Sequence, residues 1–469
     1  MRFRGLLLFS LLAFAATNVF AGSGRMVIIS VDGAGVGFND PTPATPVGGN
    51  LATTRGAQRM NVIQLAAARW TAVLDTNVDI RVRASWATLE CDDSSAVLAG
   101  ANSVTWSYNF TGAPRQEIWY PAALANKFAG RDLTANQDDI SITFNSALDL
   151  PTCRGDRSWY YGLDVNEGQD DSMLTVAMHE IGHGLGMAGR GVDWFQNRPT
   201  IYDVHTLDVT AGRSWDQMSV EQRRVSATNT GKVVWTGPNV TAKAPQMLER
   251  PPVLTVTGKN YDVGAASFGP TLNSASMNGA VVSAHDAENT EGPTALDGCT
   301  AYDNASAVAG KVALVDRGTC TFVQKALMAQ AAGATGLVIV DNRKEANCVN
   351  NPPGMSGNEP QIRIPVMSVT QDDGNELRAK ADAAFTNALL RLDPSRLSGM
   401  TDGYVRLYAP CAFSAGSSLY HWDTAATPNL LMEPFINGDL LDSVDLTLYQ
   451  MLDIGWTQPP RTGRRVLRR

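Results

Sequence analysis

The sequence predicts an α+β protein in which one domain is interrupted by a second, β-rich α/β unit. Three observations support this prediction. Strand and helix patterns alternate up to about residue 250, short β-branched runs dominate from there to about residue 392, and a polar segment with a final amphipathic helix follows. The chain has 469 residues, too many for one ordinary hydrophobic core, so several domains are expected.

The composition changes divide the chain into five expected segments. These are a signal peptide at 1–21, the first part of the main domain at 22–250, the insert at 251–392, the second part of the main domain at 393–458, and a basic tail at 459–469. Arg2 and Arg4 precede a short apolar run, and small residues surround Ala21, as in a cleaved secretory signal. We therefore expect a secreted protein, with the periplasm as the alternative location.

Local patterns predict the elements of the main domain in order. Period-two alternation or β-branched runs predict strands, and apolar residues three and four apart predict helices. The expected elements are a strand in "RMVIISVD", a helix in "GAQRMNVIQLAAARWTAVLDT", strands in "VDIRVRASWATL" and "DISITFNSA", a helix in "DDSMLTVAMHEIGHGLG" and a C-terminal helix in "SVDLTLYQMLDIGW". Asp170, Asp171 or Ser172 is expected to cap the fifth of these, and Gly184 or Gly186 to end it. Within the insert, "GKVALVDRGTCTFVQKALMAQAAGATGLVIVDN" predicts a β-α-β unit.

Charge and cysteine content narrow the class of protein. The formal net charge is -8 and the pI is about 5.2, which argues against a nucleic-acid partner. No later stretch is long and apolar enough to insert into a membrane once the signal is removed. Six cysteines in an exported chain predict three disulfides, and we expect the pairs Cys91–Cys153, Cys299–Cys320 and Cys348–Cys411.

The motif H-E-x-x-H at His179, Glu180 and His183 predicts a metal centre. Residues i and i+4 share one face of a helix, so both imidazoles can converge on one zinc ion. Glu180 is placed to act as the general base on an attacking water molecule. A catalytic zinc ion needs a third protein ligand, and the position six residues after His183 is Gly189. The remaining histidines are His205, His285 and His421, and Asp203 is a possible oxygen ligand. His285 falls inside the insert and is expected on a surface loop.

One of these candidates lies in a recognisable context. The stretch "SSLYHWDTAATPNLLMEP" contains Ser418, His421, Trp422, Met432 and Pro434. It resembles the leishmanolysin-type metzincins, in which a distant third histidine precedes a turn whose methionine lies under the metal. The resemblance implies that His179, His183 and His421 bind one zinc ion. His421 follows His183 by 238 residues, and the insert accounts for this long spacing.

The insert resembles a protease-associated (PA) domain, through "DGC" at 297–299, "GKVALVDRGTCTF" at 310–322 and "AQAAGATGLVIVDN" at 329–342. Such domains are non-catalytic and are found mainly attached to proteases. Together the resemblances imply a metzincin-like zinc peptidase domain with a PA-type insert, which acts on protein or peptide substrates with Glu180 as the general base. We expect the protein to be a monomer. The alternatives are an exported non-catalytic zinc-containing binding or adhesion protein, and a zinc hydrolase of non-peptide amides.

Two further roles are expected around this centre. The strand in "DISITFNS" is expected to bind an extended peptide by edge pairing. Tyr160 and Tyr161 are candidates for stabilising the tetrahedral oxyanion, with core or rim packing as the alternative role of both.

Overall fold

The computed structural model describes residues 24–93, 95–155, 157–193, 197–288, 290, 292–344, 351–436, 440 and 443–459. The predicted signal peptide and nearly all of the basic tail lie outside these residues. Two units are visible in the packing. One hydrophobic core combines residues from before 250 with residues after 404, and two further clusters use only residues between 254 and 390.

The N-terminal part forms a four-stranded sheet covered by two helices. Its elements are β1 (Met26–Ser30), α1 (Arg55–Thr71), β2 (Ile80–Ala87), β3 (Ala99–Ser103), β4 (Trp106–Ser107), β5 (Tyr120–Pro121), α2 (Ala122–Ala129), β6 (Ile140–Asn145), β7 (Trp159–Tyr160), β8 (Asp171–Ser172) and α3 (Met173–Leu185). The strand order is β1-β2-β6-β3, with β3 antiparallel to β6 and the other pairs parallel. Helices α1 and α3 pack against each other, and the predicted elements of this region are confirmed.

The predicted edge role of "DISITFNS" is wrong. This segment forms β6, which is hydrogen-bonded on one side to β2 and on the other to β3. Its backbone polar groups are therefore already paired. The outer strand next to β6 is β3 (Ala99–Ser103), whose sequence "AGANS" has little β propensity and gave no strand signal.

A second sheet joins the segments on either side of the insert. Its region contains β9 (Thr206–Asp208), β10 (Arg213–Ser214), α4 (Val220–Ser226), β11 (Val233–Trp235) and α5 (Pro238–Lys243). Strand β11 pairs with Tyr404–Arg406, which comes after the insert. The chain therefore leaves this sheet, forms the insert and returns to the same sheet.

The insert forms one eight-stranded mixed sheet with helices. Its elements are β12 (Pro252–Val256), β13 (Lys259–Asp262), β14 (Gly264–Ala265), β15 (Met277–Ser283), α6 (Ala305–Val308), β16 (Val312–Asp316), α7 (Phe322–Ala331), β17 (Gly336–Val340), β18 (Val366–Val369), α8 (Gln371–Ala383) and β19 (Asn387–Leu392). The strand order is β13-β12-β19-β15-β16-β17-β18-β14, and β15 to β18 are parallel. The predicted β-α-β unit is confirmed as β16-α7-β17.

The chain ends with β20 (Met400–Thr401), β21 (Tyr404–Arg406) and α9 (Asp445–Ile454). The predicted disulfides Cys91–Cys153 and Cys299–Cys320 are present. The third predicted pair involves Cys348, which lies outside the described residues. In the part of the chain that is described, every helix is too short or too polar to cross a membrane.

Candidate metal centre

Helix α3 carries the H-E-x-x-H motif and is fixed at both ends. Ser172 is the N-cap, and its hydroxyl accepts from the amide of Thr175. At the other end Gly186 has φ of 139°, which favours glycine, and the indole of Trp456 donates to the carbonyl of Leu185 at 3.0 Å. These contacts satisfy groups that a helix end leaves unpaired, so the helix and its histidines are held in one place.

Two glycines let other parts of the core approach this helix. A Cβ on Gly184 would lie 2.3 Å from Ile140 Cγ2 of β6, and one on Gly182 would lie 2.6 Å from Met432 Sδ. Both approaches need a residue without a side chain. Glycine at these positions therefore sets how closely α3 packs on the sheet and on the segment that contains Met432.

Three imidazoles meet at one point. The Nε2 atoms of His179 and His183 are 3.1 Å apart, and His421 Nε2 lies 3.2 Å from each of them. Among the described residues, these three side chains are the cluster of metal-ligating groups that could hold an ion. The structure thus brings His421 to the helical pair across 238 residues of sequence.

The other ring nitrogen of each imidazole fixes its tautomer. Nδ1 of His179 contacts Leu431 O at 2.8 Å, that of His183 contacts Met187 O at 2.8 Å, and that of His421 contacts Ser417 O at 2.7 Å. A carbonyl oxygen only accepts, so each Nδ1 must carry the proton. The neutral rings then direct three Nε2 lone pairs toward each other, which is unfavourable unless a cation lies between them.

The donor set fits zinc. Zinc binds imidazole nitrogen at about 2.0–2.1 Å, and tetrahedral geometry then separates two ligand nitrogens by about 3.3 Å. The observed separations of 3.1–3.2 Å are close to this value. Three protein ligands leave one position for water or substrate, as catalytic zinc sites do. Hydrogen bonds from Nδ1 to carbonyls are the usual support for such ligands.

Burial controls the charge of the groups around the centre. It lowers the pKa of His179 to about 3 and that of His183 to about 4, because the imidazolium form loses solvation. It also raises the pKa of Glu180 to about 8. Glu180 Oε2 is buried and accepts no hydrogen bond within the described structure. A buried carboxylate oxygen with this free lone pair, next to His179 on the same helix, can accept a proton from a bound water molecule.

The alternative third ligands lie elsewhere. Asp203 directs Oδ2 at the amide and hydroxyl of Thr200, 2.7 and 2.8 Å away. His205 packs its ring on Trp235 with the centroids 5.1 Å apart. His285 is exposed on the insert. Of the candidates that the sequence offered, His421 is the one that the structure brings to the helical pair.

The segment from Ser417 to Met432 is named the third-ligand segment. Apart from the His421 imidazole, it contributes to the centre mainly through its backbone. Leu431 O holds His179, Ser417 O holds His421, and the amide of Trp422 donates to Met432 O at 2.8 Å. The side chain of Met432 is fully buried against Gly182. This arrangement places an apolar methionine beside the helix that carries two of the imidazoles.

Tyr160 and Tyr161 are engaged in other contacts. Tyr160 donates its hydroxyl to Asp164 at 2.5 Å, and Tyr161 donates to Asp149 at 3.0 Å. Arg59 also donates to the Tyr161 oxygen and pairs with Asp149. These bonds favour the packing role over the oxyanion role.

Sequence reasoning did not identify Tyr202 and Tyr420, whose hydroxyls bind the backbone around the third-ligand segment. Tyr202 donates to Leu419 O at 2.6 Å, and Tyr420 accepts from the amide of Gly191 at 2.7 Å. The one available signal was the position of Tyr420 directly before His421. Nothing local in the sequence pointed to Tyr202.

Comparison with known proteins identifies part of the insert. Residues 278–377 match the family model of the PA domain. The aminopeptidase YwaD of Bacillus subtilis is 39% identical over 83 residues, which is 17% of this chain and 17% of that protein. The human ER degradation-enhancing alpha-mannosidase-like protein 3 is 32% identical over 83 residues, which is 17% of this chain and 9% of that protein.

Among solved structures, a zinc aminopeptidase from Bacillus subtilis matches 33% of this chain and 36% of its own, with 22% identity and a TM-score of 0.23. These matches span well under half of each relative. The two proteins named above for different activities each match this chain over only 83 residues, so a match of this kind does not by itself select an activity. The chain is a mixed α/β protein, and its residues 278–377 belong to the PA domain family.

Proposed function

We propose that the chain is a secreted zinc-dependent endopeptidase of the leishmanolysin-like metzincin type. In this proposal residues 22–250 and 393–458 form one catalytic domain, and residues 251–392 form the PA-type insert. The observation that carries it is the convergence of three Nε2 lone pairs, together with a buried carboxylate oxygen of Glu180, on the same helix as two of the imidazoles, that has no hydrogen-bond partner among the described residues. His179, His183 and His421 would hold one zinc ion.

Each residue has a chemical task in this proposal. Bound zinc supplies Lewis-acid polarisation of the scissile carbonyl and of water. Glu180 accepts a proton from the attacking water at Oε2 and returns it to the leaving amine. The three carbonyls that accept from Nδ1 keep the imidazoles oriented throughout.

The free edge of the outer strand β3 is an argument for a peptide substrate. It pairs with β6 on one side, and in the described part of the chain no further strand pairs with its other side. It also packs against α3, which carries Glu180. An extended peptide can add to such an edge through backbone hydrogen bonds, which do not depend on a free amino terminus. This favours an endopeptidase over an exopeptidase.

The PA-type insert also supports peptides as the substrate class, because domains of this family are found mainly attached to proteases. Several proteins that match this chain are named aminopeptidases, including those of Bacillus subtilis and Pseudomonas aeruginosa. These names make aminopeptidase activity the second candidate. Hydrolysis of casein and of an amino-terminally blocked peptide indicates an endopeptidase, whereas hydrolysis of only an unblocked aminoacyl-p-nitroanilide indicates an aminopeptidase.

The proposal is tested with Glu180→Ala and a matched control, His285→Ala, which alters an exposed histidine outside the cluster. Wild type and the control should bind about one zinc per chain and cleave casein. Glu180→Ala should keep the zinc and lose at least about 100-fold in kcat, because general-base catalysis contributes roughly 10²–10⁴-fold. Full activity in Glu180→Ala, or zinc without any amide hydrolysis in wild type, would reject the peptidase proposal.

A further inference from the structure

The peptide that precedes the third imidazole has an unfavourable backbone conformation. Leu419 has φ of 75°, in the left-handed region that residues with a Cβ rarely adopt. Its side chain is 1% exposed, so it cannot relax into solvent. It lies two residues before His421, and the direction of this peptide therefore affects where the His421 ring can point. Such conformations persist only where surrounding contacts enforce them.

The contacts that enforce it can be named. The amide of Leu419 donates to Tyr408 O at 2.7 Å, and its carbonyl accepts from the Tyr202 hydroxyl at 2.6 Å. Tyr408 in turn donates its own amide to His421 O at 2.9 Å. Rotating the Leu419–Tyr420 peptide would take the buried carbonyl away from the Tyr202 hydroxyl and leave both groups unpaired.

Tyr202 is itself rigidly held. It is 1% exposed, and its ring lies 4.8 Å from that of Trp235 and 5.5 Å from that of Tyr420, measured between centroids. Its carbonyl accepts from the amide of His205 at 3.0 Å. A hydroxyl on such a fixed ring can define the position of the carbonyl to which it donates.

The residue between Leu419 and His421 is fixed to the other side of the centre. The Tyr420 hydroxyl accepts from Gly191 N, in the loop that follows α3. A Cβ on Gly189 would lie 2.6 Å from the Tyr420 ring, so glycine leaves the space that this ring occupies. The strained peptide is thus held between the Tyr202 hydroxyl and the loop that follows the helical ligands.

We propose that Tyr202 is a positioning residue for the metal centre: its hydroxyl holds the Leu419 peptide in the left-handed conformation that directs His421 toward His179 and His183. The inference rests on the proposed function, since it takes these imidazoles as zinc ligands. Tyr202 touches neither metal nor substrate and acts only through the backbone. The competing explanation is that its hydroxyl merely satisfies a buried carbonyl.

The test compares Tyr202→Phe with Tyr261→Phe in the full chain. Tyr261 is also 1% exposed and its hydroxyl is also hydrogen-bonded, to Glu376 at 2.9 Å, but it lies in the insert. The readouts are the zinc dissociation constant by chelator competition, the visible spectrum of the cobalt-loaded protein, and urea unfolding of the metal-free protein. Tyr202→Phe should weaken zinc binding about tenfold or more and change the cobalt spectrum, as loss of a supporting contact does elsewhere. Tyr261→Phe should leave both unchanged.

A second comparison separates positioning from simple hydrogen-bond satisfaction. Glycine adopts φ of 75° without strain, so Leu419→Gly removes the need for the hydroxyl to enforce that conformation. In this background Tyr202→Phe should weaken zinc binding less than about twofold. An equal loss in both backgrounds would overturn the inference, and so would unchanged zinc binding in Tyr202→Phe, whatever its unfolding midpoint. If wild type takes up no zinc, the proposed function falls together with this inference; if wild type binds zinc and Tyr202→Phe binds it equally, only the inference falls.

Discussion

The two halves of the candidate centre are built in different ways. Helix α3 supplies His179, Glu180 and His183 through its own periodicity, and its caps lie within a few residues of the motif. The third-ligand segment has no regular structure around His421 and depends on hydrogen bonds to Tyr202, Tyr408 and the loop after α3. A helix can therefore present two ligands by local rules alone, whereas the third ligand requires the tertiary structure.

The two halves of the centre also contact each other directly. The third-ligand segment offers the carbonyl of Leu431 to His179 on the helix, and the helix offers room at Gly182 for Met432. Each half thus orients part of the other. Substitutions within either half should therefore change the zinc dissociation constant. Substitutions where the two halves pack together should change the free energy of unfolding.

Removing the His421 imidazole should have the largest effect on zinc binding, because it takes away the one ligand that the third-ligand segment supplies. We expect His421→Ala to lose zinc by well over the roughly 100-fold that loss of a supporting contact causes, and to lose casein hydrolysis with it. The far-UV circular dichroism should be retained, because the caps of α3 do not involve His421. Atomic absorption measures the zinc content of the variant, and equilibrium dialysis measures its zinc affinity.

Asp203→Asn and His205→Ala are the matched controls for this prediction, since each alters one of the other residues that could have been the third ligand. Both should keep zinc and activity, because Asp203 is bonded to Thr200 and His205 packs on Trp235. Zinc retained in His421→Ala but lost in either control would assign the third ligand to that residue instead.

The same contrast explains what could be predicted from the sequence. The helix α3, its cap region and the β16-α7-β17 unit follow from period and turn residues, which act over a few positions. The third histidine was reached through a resemblance, since His421 lies 238 residues from His183 and no local pattern links them. The PA match likewise covers the segment in which the local β-α-β pattern is clearest.

Features that depend on neighbours in space were missed or wrong. The strand Ile140–Asn145 was correctly expected as a strand, but its place inside the sheet depends on β3, whose sequence "AGANS" gives no strand signal. The contact between Tyr202 and Leu419 joins a side chain to a carbonyl 217 residues away. Neither the partner nor the left-handed φ of a leucine can be read from neighbouring residues.

An intermediate effect is expected where the helix packs on the sheet. In Gly184→Ala the added methyl group would lie 2.3 Å from Ile140 Cγ2, and a β-branched residue in a buried strand cannot easily move away. Overpacking of this kind costs roughly 1–3 kcal/mol, and the better helix propensity of alanine offsets about 1 kcal/mol. We expect a net loss of up to about 2 kcal/mol in the free energy of unfolding, measured by urea denaturation.

Gly100→Ala is the control for that substitution. Gly100 lies on the outer strand with no atom within 4 Å of the position its Cβ would take. Its free energy of unfolding should change by less than about 0.5 kcal/mol. Equal losses in the two variants would show that close packing between α3 and β6 is not what limits position 184.

The smallest effect on metal binding and stability is expected for Met432→Leu. This variant tests whether the Met432 side chain, as well as the backbone of its segment, acts on the centre. The backbone of this turn already explains its role: Leu431 O accepts from His179 Nδ1, and Met432 O accepts from the amide of Trp422. If the Met432 side chain serves only to fill the space beside Gly182, then leucine, of similar volume, should replace it for less than about 1.5 kcal/mol in the free energy of unfolding. The cobalt spectrum and the zinc dissociation constant of Met432→Leu should equal those of wild type, because no ligand or carbonyl contact is altered. A shifted cobalt spectrum with an unchanged unfolding midpoint would instead mean that the thioether itself influences the centre. The third-ligand segment would then act on the centre through a second side chain besides that of His421, and the two halves would be more alike than the hydrogen bonds indicate.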